Sequence, residues 1–223
     1  LMFGVGMTLA SGCGNKTLVR VGGGNLKSLV VLAIASACAY LMLWTDFYGT
    51  VFNSWIAATT IDLGKSGMTS QAVSELFGSG SGAQVVTGTA IGLVLAGFAF
   101  ASKDFRGSFD NVLGGLVIGL AVVIGWYLTA GPMGTAWKEW AELADTVPSR
   151  VEVQSYTFIS PMGDSVRYLM SPTFANINFG ITALVGVIAG SFLYAILSGN
   201  FRIEWFVSGG DFLNHAVGAV LMG

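Results

Sequence analysis

The sequence predicts an all-α membrane protein: a polytopic helical bundle with broken or half helices, a re-entrant segment and a faint internal repeat. Three observations carry this. Charged residues make up only 10% of the 223, hydrophobic residues make up 53%, and the mean hydropathy is +0.72. A soluble domain carries roughly 25% charged residues on its surface, which this chain cannot supply. The 32 glycines agree, because glycine lets helix backbones approach closely in lipid. The net charge of −2 says nothing about partners, and no basic cluster is large enough to suggest nucleic acid. Cys13, Cys38 and the lone histidine, His215, cannot build a disulfide framework or a zinc cluster.

A membrane-crossing helix needs about 20 mostly apolar residues, and four stretches supply them: Ser28–Thr45, Ala83–Ala101, Phe109–Ala130 and Ile177–Ser198. Polar or helix-breaking residues bound each one: Lys27 and Asp46, Lys103 to Arg106, Gly131-Pro132, and Gly199-Asn200. Leu1–Ala10 and Phe212–Gly223 are shorter apolar segments at the two ends. Both ends fall inside apolar runs, so residues 1–223 are expected to be one transmembrane domain cut from a longer chain.

Two connections are long. Phe47–Gly82 opens with Phe47, Tyr48, Phe52 and Trp55, which read as an interfacial aromatic belt, and closes on the Gly/Ser run at 78–82. Gly131–Asn176 holds an amphipathic piece, Thr135–Ala144, with Trp137 and Trp140. It also holds Tyr156–Met170, interrupted by Pro161 and Gly163, which reads as a re-entrant segment or a surface lid. With alternating spans, six of the ten basic residues (Lys16, Arg20, Lys27, Lys103, Arg106, Arg202) share one side on short connections. That side is assigned to the cytoplasm. The repeat pairs Val94–Gly97 and Phe105-Arg106 with Val187–Gly190 and Phe201-Arg202.

The chemistry concentrates where the first apolar run meets Ser11-Gly12-Cys13-Gly14-Asn15, followed by Lys16-Thr17-Leu18-Val19-Arg20. A helix broken inside a membrane is tolerated only where its irregular backbone lines a cavity or is buried in protein. Asn15 is expected to N-cap a new short helix, whose positive end lies beside Cys13. Lys16 and Arg20, four apart, share a face. Gly12, Cys13, Gly14, Asn15, Lys16 and Arg20 are therefore the candidate substrate-binding residues, forming an anion-attracting site with a soft sulfur in it. Cys38 is expected to pack only. Asp211 is expected to cap the last apolar segment, with His215 one turn inside, and Asp164 and Arg167 to pair across one turn. Gly4-Val-Gly6 is no dinucleotide fingerprint, and the Gly14–Thr17 run is no phosphate loop. No nucleophile–base pair marks an enzyme, and no cofactor is implied.

Gly6 to Lys27, GMTLASGCGNKTLVRVGGGNLK, resembles the cysteine motif of the YeeE/YedE family of bacterial inner-membrane proteins. Thr157–Asp164 (TFISPMGD) and Phe201–Phe206 (FRIEWF) are similar to later stretches of that family. The resemblance implies uptake of thiosulfate or a related sulfur-containing anion through a central path in which cysteine thiols relay the substrate. Only Cys13 matches a relaying cysteine, and further ones are expected before Leu1 and beyond Gly223. The other reading is a non-transporting membrane subunit that docks a small soluble sulfur- or selenium-handling protein on the long connections.

Overall fold

The computed structural model describes residues 1–59, 81–144, 148 and 150–223. Twelve α-helices are described: α1 Met2–Leu9, α2 Gly14–Gly22, α3 Leu26–Trp44, α4 Phe47–Val51, α5 Asn53–Ile56, α6 Ser81–Ala101, α7 Lys103–Arg106, α8 Phe109–Ala130, α9 Pro132–Leu143, α10 Ile159–Met170, α11 Phe179–Leu197 and α12 Gly209–Met222. No strand longer than a single bridge occurs among the described residues. The Gly/Ser run at 78–82 lies mostly outside them.

Three helices, α3, α8 and α11, are long and apolar enough to cross a membrane, at 19, 22 and 19 residues. The stretch expected at Ala83–Ala101 is helical as α6, though its apolar part at Val85–Ala101 is shorter. Spans and sequence runs agree because water-free surroundings leave an apolar segment no better way to pair its backbone than a helix.

The residues form two compact units, Leu1–Asn53 with Ala121–Gly223, and Ser54–Leu120. In the second, Ser102 caps α7 by accepting from the Phe105 N–H, and Phe105 packs edge-to-face on Phe100 at 5.4 Å. Leu93, Val94, Phe98 and Leu116 are exposed along its helices.

The first unit is built on α3. Lys27 at its start pairs with Asp211 at 2.9 Å, while Trp44 at its end donates to Asp164. Nineteen residues at 1.5 Å each separate these ends by about 28 Å, close to the thickness of a hydrocarbon core. The helix α11 runs the other way: Asn178 at its start donates to Asp164, and Ser191 and Ala195 lie at the Lys27 end.

The helices α10 and α12 each run along only part of α3. The helix α12 starts at the Lys27–Asp211 pair and finishes with Gly223 against Ala35 and Cys38, in the middle of α3. Gly163 of α10 sits on Ala39 and Tyr40, and Met162, 1% exposed, joins Ala35, Val31, Leu184 and Leu18 in the core. The interrupted segment at Tyr156–Met170 is thus one unbroken helix from Ile159. Pro161 falls in its first turn, where a missing N–H costs nothing because no intrahelical acceptor exists there.

Small residues permit these approaches. A Cβ on Gly22 would stand 2.6 Å from the Ile188 carbonyl and 2.7 Å from Ser191 Cβ, whereas one on Gly190 would meet nothing within 4 Å. Gly22→Ala should therefore lower stability in detergent by about 2 kcal/mol through overpacking, measured as a thermal or denaturant midpoint. Gly190→Ala should leave the midpoint unchanged or raise it, since alanine is the better helix former.

Candidate functional site

The break between α1 and α2 is the irregular point in the first unit. Ser11 adopts φ 60°, the left-handed region that residues other than glycine seldom occupy, and the chain restarts as a helix at Gly14. Cys13, not Asn15, holds the N-cap position: its backbone is extended (φ −76°, ψ 172°) and its carbonyl accepts the Thr17 N–H at 3.0 Å. The expectation for Asn15 fails because side-chain preference is weaker than where the turn falls. Gly12 sets the turn, so the helix begins two residues early and Asn15 lies exposed in its first turn.

No side chain caps α2. Among the described residues the N–H groups of Gly14, Asn15 and Lys16 have no acceptor, so three donors stay open beside a free, half-buried Cys13. The start of α10 lies directly against them. A Cβ on Gly14 would be 3.2 Å from Ile159 Cδ1, 3.3 Å from Met162 Cε and 3.6 Å from Phe158 Cβ. The N-cap of α10, Phe158, contributes no side-chain cap either. Two half helices therefore bring their positive ends together at Cys13. Their neighbour Met162 belongs to the same cluster as Ala35, the middle of α3, so the meeting point lies halfway between the ends of that helix.

Lys16 and Arg20 both return to the break. The Lys16 stem passes over Gly12, where a Cβ would come within 2.7 Å of Lys16 Cδ. Arg20 Nη1 donates to the Ser11 carbonyl at 3.1 Å. Ser11 and Arg20 also line a polar cleft of about 560 Å³ that opens at the Lys27 end of α3 and includes Asn25, Lys27, Ser28, Arg202 and His215. The structure thus brings the six predicted residues into one region and joins it to a hollow that sequence reasoning missed.

Corrections apply at two other points. The N-cap of α12 is Ser208, whose Oγ accepts the Asp211 N–H at 3.2 Å; Asp211 sits in the first turn, bonded to Lys27, the Val207 N–H and His215. Asp164 does not pair with Arg167. Its carboxylate, 3% exposed, receives Trp44 Nε1–H at 3.0 Å and Asn178 Nδ2–H at 2.9 Å, and lies 2.8 Å from Arg150 Nε. The Arg150 N–H is not aligned for a hydrogen bond, so that contact is ionic. Arg167 instead stacks on the Trp44 ring at 3.7 Å. Cys38 packs against the end of α12, as its position in a span predicts.

The sulphur transport family model matches residues 1–223. The chain belongs to this family. It is the YeeE/YedE family whose motifs the sequence resembles. No curated protein matches the chain. A sulphur transport protein with apolar helices of spanning length is a membrane protein, and the half helices meeting at Cys13 are its most distinctive internal feature.

The Asp164 cluster ties α3, α10 and α11 of this sulphur transport protein to Arg150. Removing its charge strands a partly buried guanidinium. Asp164→Asn should cost about 3 kcal/mol of stability, read from denaturant midpoints, while Arg167→Ala, which loses only a ring contact, should cost less than about 1 kcal/mol.

Proposed function

We propose that this chain forms part of a multi-pass transporter of the bacterial inner membrane that takes up thiosulfate or a closely related sulfur-containing anion. The observation that carries the reading is the meeting of two uncapped helix starts around Cys13. Discontinuous membrane helices direct their N-termini at anionic cargo because the unpaired N–H groups and the helix dipole act together there.

In this reading the N–H groups of Gly14, Asn15 and Lys16 hold the oxygens, and the Cys13 thiol meets the terminal sulfur of the anion as one step of a relay. Gly12 and Gly14 keep Cβ atoms out of the space around the thiol. Lys16 and Arg20 supply positive potential at the break without entering it. An anion leaving water for the apolar layer loses several kcal/mol of hydration. Donors already oriented and unpaired return part of that without reorganising. The thiol contributes polarizability, which suits a sulfur atom better than an oxygen.

The test is uptake of radiolabelled thiosulfate. Cys13→Ala should reduce it at least about tenfold in cells that depend on thiosulfate, and Cys38→Ala should leave it near the wild-type rate. Normal uptake by the Cys13 variant would remove the thiol relay. Reconstitution of the full-length protein alone in liposomes should give uptake without a soluble carrier. Uptake only on adding such a carrier would favour the docking-subunit reading.

A further inference from the structure

The cleft that leads to the break contains two side chains, Ser28 and His215, that the Cys13 site does not use. Ser28 is 6% exposed and His215 9% exposed, and both line the cleft. Among the described residues, no hydrogen bond engages the Ser28 hydroxyl or His215 Nε2. Among the described residues Arg150 Nε is the buried side-chain atom left without a partner, so the Ser28 hydroxyl and His215 Nε2 are reachable from the hollow and free to meet a ligand that enters it.

The charges of the cleft define what that ligand is. Asp211 is paired with Lys27 and accepts the Val207 N–H, whereas Glu204 accepts only the neutral Asn25 Nδ2–H and keeps its charge. Arg20 and Arg202 have no carboxylate partner among the described residues. Arg20, Lys27 and Arg202 against Asp211 and Glu204 leave the cleft one positive charge in excess; with a hydroxyl and an imidazole facing it, this suits a small oxyanion, because guanidinium N–H groups match its oxygens.

The imidazole adds a condition. His215 Nδ1 lies 2.8 Å from the Asp211 carbonyl oxygen and 3.1 Å from Asp211 Oδ1. Both are acceptors, so Nδ1 carries the hydrogen. A neutral ring then presents a bare Nε2, which repels an anion; only the imidazolium has an N–H to offer there. The other groups facing it are Lys27 from α3, Arg20 from α2, Tyr194 from α11, and Arg202 and Glu204 from the connection after α11.

We propose that Ser28, His215 and Arg202 form a binding site for the oxygen face of a sulfur oxyanion, and that His215 takes up a proton as the anion binds. This rests on the reading of the chain as a carrier of sulfur anions, but the site is separate from the thiol. Oxygen is recognised in the cleft by charge and hydrogen bonds, and sulfur at the break by Cys13.

Sulfate separates the two, since it has oxygens and no terminal sulfur. Labelled sulfate is titrated onto the purified full-length protein at pH 8 and pH 5.5, the window in which histidine gains its second proton. Wild type should bind about tenfold more tightly at the lower pH. His215→Gln should erase the pH difference, Arg202→Gln should weaken binding about tenfold at both values, and Ser28→Ala should weaken it less. Absence of sulfate binding by wild type, or wild-type affinity and pH slope in both the His215 and Arg202 variants, overturns the site. If His215→Gln does not fold, the exposed Arg202 carries the test alone. Cys13→Ala should keep sulfate binding. If it does and yet transports thiosulfate normally, the relay fails and the cleft site stands; if it loses sulfate binding, the cleft is not a separate site.

Discussion

The first unit depends on the interruption of one helix in the middle of an apolar layer. A broken helix there exposes carbonyls at one end and N–H groups at the other, and lipid can pair neither. The two ends are treated differently. On the α1 side, Ala10, Ser11 and Gly12 fold their N–H groups back onto the Gly6, Thr8 and Met7 carbonyls, and Arg20 takes the Ser11 carbonyl. On the α2 side the donors of Gly14, Asn15 and Lys16 stay open. Four carbonyls on the α1 side are thus paired while three consecutive donors on the α2 side are open, a polarity that favours an anion.

Keeping such a point dry except on one side requires close packing around it, and the half helices provide that. Gly6 of α1 sits against the Gly218 carbonyl, Gly163 of α10 on the Ala39 backbone, Gly180 of α11 on Pro161, and Gly22 of α2 on the Ile188 carbonyl. Between helices in lipid the hydrophobic effect supplies little, so dispersion across such small-residue contacts does the holding. The buried carboxylate of Asp164 fixes the Trp44 end with donors from α3 and α11, so that α10 keeps its start against Gly14. Phe158, Ile159 and Met162 then cover that side of the break, while the side facing Ser11 opens into the polar cleft.

How much of this the sequence reveals depends on the range of the interaction. The span Phe109–Ala130 is matched to the residue, because apolar run length and flanking Gly-Pro are local facts. The Gly-Cys-Gly break is local too, and the helix does stop at Leu9 and restart at Gly14. Local preference misleads where geometry decides: Asn15 is the better capping residue, yet Gly12 turns the chain earlier and Cys13 takes the position. Asp164 and Arg167 at a spacing of three look like a pair, but Trp44 offers Arg167 a ring face and Arg150 reaches the carboxylate from outside the helix. The cleft was out of reach, since Lys27 and Asp211 are 184 residues apart and nothing in either neighbourhood names the other.

The proposed separation of cleft from break has an energetic rationale. A small anion carried bare into a medium of low dielectric loses far more hydration energy than any single contact restores. Guanidinium groups at the cleft can compensate its charge, but long cationic side chains are costly to hold in the middle of an apolar layer. Backbone N–H groups are not, because they carry no net charge to desolvate. On the proposed reading, an anion passing between the open donors of Gly14, Asn15 and Lys16 and the cleft of Arg20, Arg202 and His215 meets formal charge only near the membrane surface and oriented backbone donors at depth. Arg20 belongs to both places: it lines the cleft, and its Nη1 donates to the Ser11 carbonyl beside the turn. The same side chain that lines the cleft thus also holds the backbone beside the open donors.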